Sequence, residues 1–184
     1  MKLMFASDIH GSAYYCEKML ECYRKENAER LWILGDILYH GPRNDLPKEY
    51  APKKVIPMLN EIKEQICAVR GNCDTEVDQM VLEFPILADY SLLVEGDLRI
   101  YATHGHVYNE QHMLPLMPGD ILIHGHTHIY EAKKSGEQYI LNPGSVSIPK
   151  GGNPATYAIL EDGVFSIKDL DGQVQKSIDL KKIK

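Results

Sequence analysis

The stretch ILIHGHTHIY, residues 121–130, decides how this chain reads. A short aliphatic run ends in three histidines within five positions, His124, His126 and His128, separated by glycine and threonine. Such a run, bounded by glycine, has the signature of a buried strand and its exit loop. Imidazole serves equally well as a surface polar group and as a metal ligand. From this segment alone, an exposed histidine face and a ligand-bearing strand end both remain open.

Working outward, the other apolar runs end in the same way. LMFAS (3–7) stops at Asp8 and His10, RLWIL (30–34) at Gly35-Asp36, and ICAVR (66–70) at Gly71-Asn72, followed by Cys73 and Asp74. Helical spacing of Tyr15, Met19, Cys22 and Tyr23 predicts a helix at about 13–27, and a second is expected at about 53–65. Strands alternating with helices imply right-handed crossovers and a mainly parallel sheet. The polar, proline-rich HGPRNDLPKEYAP (40–52) between them reads as a functional loop.

The second half changes character. A hairpin turning at Glu95-Gly96-Asp97 leads to His104 and His106, another turns at Ser135-Gly136, and a tail meander turns at the Asp-Gly pairs 162–163 and 171–172. These strands need a face to cover. The expectation is an α/β fold of two stacked mixed β-sheets, a sandwich flanked by helices, in a single domain over 1–184.

Composition narrows the function classes. The 184 residues carry a net charge of -6 with no block of like charge, which argues against an extended nucleic-acid face. No window approaches a membrane span, and the first residues lack a signal peptide's apolar region. Cysteines 16, 22, 67 and 73 form no C-x-x-C pair and read as reduced thiols, so a cytoplasmic protein is expected. No G-x-x-x-x-G-K-[ST] loop occurs, which removes that type of nucleotide triphosphatase.

Binding sites in α/β sheets form where the carboxyl ends of strands open into loops. Two carboxylates, one amide oxygen and four imidazoles converging there suit manganese, iron, zinc, cobalt or nickel. Seven donors exceed what one ion with an open position takes, and they divide naturally if one carboxylate bridges two ions.

In this order, DIHG, GD, GN.D, HGH and GHTH resemble the calcineurin-like metallophosphoesterase superfamily, particularly its small single-domain bacterial and archaeal phosphodiesterases. The resemblance covers nearly the whole chain, including NPGSVSIPKGGNP at 142–154. It implies a two-sheet sandwich and two divalent metal ions, with manganese the first expectation. Asp8, His10 and His128 would hold one ion, Asn72, His104 and His126 the other, and Asp36 would bridge them. His126 and His128, as alternate residues of extended backbone, would project to the same side.

The implied activity is hydrolysis of a small phosphodiester by a hydroxide held between the ions. Against Asp8, Asp36 and that hydroxide, two divalent cations leave about one net positive charge for a monoanionic diester. In-line attack needs no covalent intermediate.

Cys73 departs from many members of the superfamily, in which a histidine at this place is taken to protonate the leaving oxygen. A thiol can donate a proton but cannot carry the imidazolium's charge, so a bias toward acidic leaving groups such as aryl esters is expected. A small packing role for Cys73 is the alternative. Asp74 stands where the family has its acid, with no imidazole to orient. Arg43 is the candidate guanidinium clamp on a phosphate oxygen, against an ordinary loop arginine. His106 is a candidate substrate-side or ligand-orienting group, and a packing or ligand-orienting role is expected for His124, against a direct metal role. His40 and His112 read as surface residues, with His40 the nearer to the cleft. Asn142 and Ser145 are expected to fix a turn near the metals. The rival readings are a phosphomonoesterase and a metal-binding interaction scaffold with little catalysis. A homo-oligomer, using the apolar residues of the second half, is left open.

Overall fold

The computed structural model describes residues 1–180. Two mixed sheets stack face to face. The first contains β1 (Leu3–Ala6), β2 (Arg30–Ile33), β3 (Ile66–Ala68), β9 (Thr156–Glu161), β10 (Val164–Asp169) and β11 (Val174–Asp179), in the order β11-β10-β9-β1-β2-β3. The second contains β4 (Tyr90–Glu95), β5 (Leu98–Thr103), β6 (Ile121–Ile123), β7 (Glu131–Ser135) and β8 (Gln138–Asn142), in the order β4-β5-β6-β8-β7. The helices are α1 (Ala13–Glu26), α2 (Pro52–Asn60) and the single turn α3 (Glu76–Gln79).

The expected parallel order of the first three strands is present, with Met4 opposite Leu31 and Trp32 opposite Cys67. The tail meander joins this same sheet, β9 running antiparallel to β1. Burial follows from where each strand lies. Leu3 and Phe5 face the second sheet, among Ile100, Ile121 and Leu141. Met4 and Ala6 face the opposite way, toward Cys16, Met19 and Tyr23 of α1 and Val55 and Leu59 of α2. A strand covered on both faces reads as a continuous apolar run, the pattern of LMFA. In the second sheet β5, β6 and β8 are parallel and the edges β4 and β7 antiparallel. At the β4 edge, Tyr90, Leu92 and Val94 are exposed.

The helices lie outside the sandwich as expected, and α1 and α2 both pack on the first sheet. The non-helical 104–120 connection serves the second sheet and reaches β7, where Glu110 meets Lys133 and Ser135. The helix expected to 65 ends at Asn60, with only a 3₁₀ turn at Lys63–Gln65. Pro57 removes one helical donor, and the Asn60 side chain turns aside to bond Val81 and Glu83. By contrast α1 is capped at both ends, by the Ser12 hydroxyl accepting from the Tyr15 N–H and by left-handed Asn27. The turn at Asp162-Gly163 has both residues at positive φ, 51° and 79°, the type I′ geometry favoured in two-residue hairpins.

Candidate metal centre

At one end of the sandwich the carboxyl ends of β1, β2, β3, β5 and β6 open into loops. These bring Asp8, His10, Asp36, Asn72, His104, His126 and His128 together, drawn from both sheets. Left-handed backbone marks the place. Eight described non-glycine residues have positive φ, and five are Asp8 (58°), His10 (48°), Asp36 (55°), His126 (67°) and His128 (61°). Each such conformation costs roughly 1–2 kcal/mol and persists only where surrounding structure enforces it.

Long-range bonds supply that enforcement. Asp8 N–H donates to Gly35 O (3.1 Å), His10 N–H to Asp36 O (2.9 Å) and Gly125 N–H to His104 O (2.8 Å). The Ser145 and Ser147 hydroxyls both donate to the Asp8 carbonyl, at 3.0 and 2.9 Å. Two glycines allow the close approach: a Cβ on Gly125 would overlap Ser7 Oγ, and one on Gly71 would overlap the Asp36 backbone nitrogen. The extended-backbone account of His126 and His128 is therefore corrected. β6 ends at Ile123, and each histidine sits at its own left-handed turn.

The donor atoms form two groups that meet near Asp36. His128 Nε2 and His10 Nε2 lie 3.2 and 3.6 Å from Asp8 Oδ1 and 3.3 Å from each other. His104 Nε2 lies 3.4 Å from Asp36 Oδ2, 3.1 Å from Asn72 Oδ1 and 3.2 Å from His126 Nδ1. Asp36 Oδ2 is also 3.6 Å from His10 Nε2, on the side of the first group.

Three of the imidazoles have Nδ1 against a backbone carbonyl: His10 on Tyr39 (2.8 Å), His104 on Leu34 (2.6 Å) and His128 on Ile148 (2.8 Å). A carbonyl only accepts, so Nδ1 carries the proton and neutral Nε2 turns its lone pair inward. Asp8 Oδ1 is buried with no hydrogen-bond partner. Converging lone pairs and an orphaned buried carboxylate oxygen are unfavourable together without positive charge between them. On this geometry the residues fit divalent cations.

Without cations, protons take up part of that role. Burial opposes charge on His104, but the Asp36 bond and the charges of Asp8 and Asp36 outweigh it and push its imidazole up to about 9. Burial, reinforced by His104, pushes His126 down to about 4. Burial works against ionisation of Asp8 and Asp36 too, yet His10 and His128 hold Asp8 well below the usual carboxylate range, and His104 lowers Asp36.

The remaining candidates fall around this cluster. Burial, then the Asp36 charge, pushes the Cys73 thiol up to about 12, and its Sγ accepts from the Asn72 amide at 3.2 Å. Asp74 is buried and accepts the backbone N–H groups of Asp36 (2.8 Å), Ile37 (2.9 Å) and Gly71 (2.7 Å). It thereby ties the β2 and β3 exits together, a role its sequence position did not suggest. Burial nevertheless raises its carboxyl to about 6. Arg43 is exposed and lines a cleft of about 390 Å³ over Asp36, Asn72, His126 and His128. Lys150, Asn44 and Thr127 line the same cleft. Sequence reasoning passed over these three, although a lysine before two glycines in PKGG was a usable signal for Lys150.

His106 is exposed, with its ring 5.3 Å from His104 and 6.2 Å from His126. His124 is buried outside both donor groups. His40 is half-buried against Tyr50, and His112 is an exposed loop residue. Asn142 Oδ1 accepts the Gly144 N–H at 2.8 Å, within the turn that carries Ser145.

Sandwich and site together define a phosphoesterase of metal-binding type. A family model described as the calcineurin-like phosphoesterase superfamily domain matches residues 1–162, and the chain belongs to that superfamily. Among individual proteins, phosphodiesterase YfcE of Escherichia coli K12 is 51% identical over 173 residues, 94% of this chain and 94% of YfcE. The solved structure of YfcE, described as a phosphoesterase, superposes with a TM-score of 0.96 at 49% identity, covering 98% of this chain and 100% of that one. Phosphodiesterase MJ0936 of Methanocaldococcus jannaschii is 26% identical over 152 residues, 78% of this chain and 83% of that protein. No described helix is long and apolar enough to cross a membrane.

Proposed function

We propose that this chain is a single-domain, metal-dependent phosphodiesterase acting on a small phosphodiester through two divalent cations. The observation that carries this reading is the inward convergence of Nδ1-anchored imidazoles and carboxylates on both sides of Asp36. In it, Asp8, His10 and His128 hold one cation, Asn72, His104 and His126 the other, and Asp36 is shared. Bound cations would lower the pKa of water to about 7, supplying hydroxide as nucleophile, and would offset the charge of the phosphoryl group.

This chain's own residues do the rest. Backbone carbonyls of Tyr39, Leu34 and Ile148 fix the imidazole orientations. Arg43 and Lys150, both lining the cleft, draw and align the anionic diester in an otherwise acidic protein. Asp74 holds the left-handed Asp36 in place through its N–H. A Cys73 thiol pushed up to about 12 is a weak proton donor, which favours esters whose leaving group needs little protonation. The names of YfcE and MJ0936 support diesters over monoesters. Manganese is the first assignment, and zinc, iron, nickel and cobalt suit the same nitrogen and oxygen donors. Four unpaired cysteines support a reducing, cytoplasmic setting.

The test pairs metal analysis with hydrolysis of bis(p-nitrophenyl) phosphate and p-nitrophenyl phosphate. The expected result is a higher kcat/KM on the diester, lost on chelation and restored by manganese. Faster turnover of the monoester would overturn the diester assignment, and activity surviving complete metal removal would overturn the metal dependence.

A further inference from the structure

His124, the remaining histidine of the ILIHGHTHIY exit, has no place in the donor groups. It is 6% exposed, and its Nδ1 lies 3.0 Å from the Gly125 carbonyl oxygen. Asn142 Nδ2, at 3.4 Å, directs its two hydrogens to Gly125 O and Thr127 Oγ1, each at 3.0 Å. The His124 proton therefore sits on Nδ1, and Nε2 keeps a free lone pair. Nothing among the described residues bonds to Nε2.

The ring lines a cavity of about 330 Å³ together with Gln111, Glu110 and Glu131. Its wall is shared with the metal cleft, because His126 and Thr127 line both. A phosphodiester seated over the cations has two alcohol arms, and this cavity is the adjoining space. Its chemistry is selective. Glu110 and Glu131 share one ammonium, Lys133, at 2.8 and 3.1 Å, which leaves the wall net negative. A second phosphate on the arm would be repelled there. The free His124 nitrogen and the carboxylates are acceptors, so a matching arm brings donors.

We propose that this cavity receives one arm of the substrate, and that the arm is an uncharged, hydroxyl-bearing group of the sugar type, with a hydroxyl donating to His124 Nε2. The assignment rests on the diesterase reading above. Sites built to hydrogen-bond a substrate hydroxyl discriminate strongly against the analogue lacking it.

The experiment compares two p-nitrophenyl phosphodiesters whose other arm is glucos-6-yl or its carbocyclic, hydroxyl-free counterpart cyclohexylmethyl. The readout is the ratio of their kcat/KM values in wild type, His124→Phe and His124→Gln. His124→Phe should lower the ratio by about tenfold or more, and His124→Gln, which keeps an acceptor, by less. Gln111→Trp, a change at an exposed position by the mouth, should lower the same ratio without touching the buried ring. Binding of glucose 6-phosphate against cyclohexylmethyl phosphate, measured calorimetrically, reads the cavity without turnover and should show the same loss. Unchanged ratios in both His124→Phe and Gln111→Trp, or equal losses on the two arms, would overturn the assignment. If wild type hydrolyses neither ester, the diesterase reading fails, and the binding ratios then decide the cavity by themselves.

Discussion

Replacing Asp36 by asparagine separates a shared carboxylate from an ordinary buried one. Asp36 Oδ1 accepts the Cys73 N–H at 2.8 Å, so in Asp36→Asn the amide oxygen keeps that place. The NH₂ group then occupies the Oδ2 position, facing His104 Nε2 at 3.4 Å and His10 Nε2 at 3.6 Å. It has no lone pair to offer a cation. The flipped amide would set donor against donor at Cys73, a buried mismatch of about 1–3 kcal/mol. A unit positive charge 3.4 Å from Oδ2, the spacing of His104, is worth about 5 kcal/mol at an effective dielectric near 20. Desolvation of the carboxylate and the surviving oxygen reduce this, leaving about 3–4 kcal/mol, or roughly 10²–10³-fold in the affinity of at least one ion. Hydrolysis of bis(p-nitrophenyl) phosphate should fall by a similar factor. Elemental analysis after dialysis against defined manganese, with calorimetric titration, reads the metal directly. A variant that keeps both ions at wild-type affinity and full activity would refute the shared role of Asp36.

Other outcomes follow from the same geometry. Cys73→His should accelerate alkyl diesters more than aryl ones by supplying an imidazole on the leaving side; equal effects on both would defeat the leaving-group argument. Arg43→Ala should raise KM for the diester by about tenfold, and unchanged steady-state kinetics would show that Arg43 does not grip the phosphate. In the metal-free protein, His104 titrates at about 9, above the ordinary imidazole value near 6.5, because Asp36 and Asp8 outweigh the cost of burial. Its contribution, about 3 kcal/mol, is fully present below pH 6.5 and is lost as pH rises through 9. Tm of the chelated protein should therefore drop by about 6 °C or more across that window, and a flat profile would refute protonation of His104. Metal affinity should move the opposite way, rising with pH, because His104 must release its proton to bind a cation.

How much of this was legible beforehand can be judged residue by residue. The chemical identity of the site lies in local sequence: Asp8, His10, Asp36, Asn72, His104, His126 and His128 each stand just beyond an apolar run, and burial of those runs as strands brings their exits to one edge. LMFA and ILI, apolar without interruption, read as strands from sequence, and the structure shows their residues buried throughout. The Asp162-Gly163 pair specified its hairpin because only residues tolerant of positive φ make that turn. Lys150 and the end of α2 were less visible, since each depends on loops that meet only after folding. The left-handed turns at His126 and His128 were not visible at all. Local preference disfavours them, and they exist because distant groups impose them: the crowding of Gly125 against Ser7 and the His104 carbonyl that holds its N–H. Asp74 shows the same division. Its presence after Asn72 and Cys73 was plain, but its three N–H partners lie on two loops brought together by parallel strand pairing. Sequence thus determined which donors and which strands this protein has. Tertiary structure decided how each donor is aimed, because aim depends on hydrogen bonds between residues far apart in the chain.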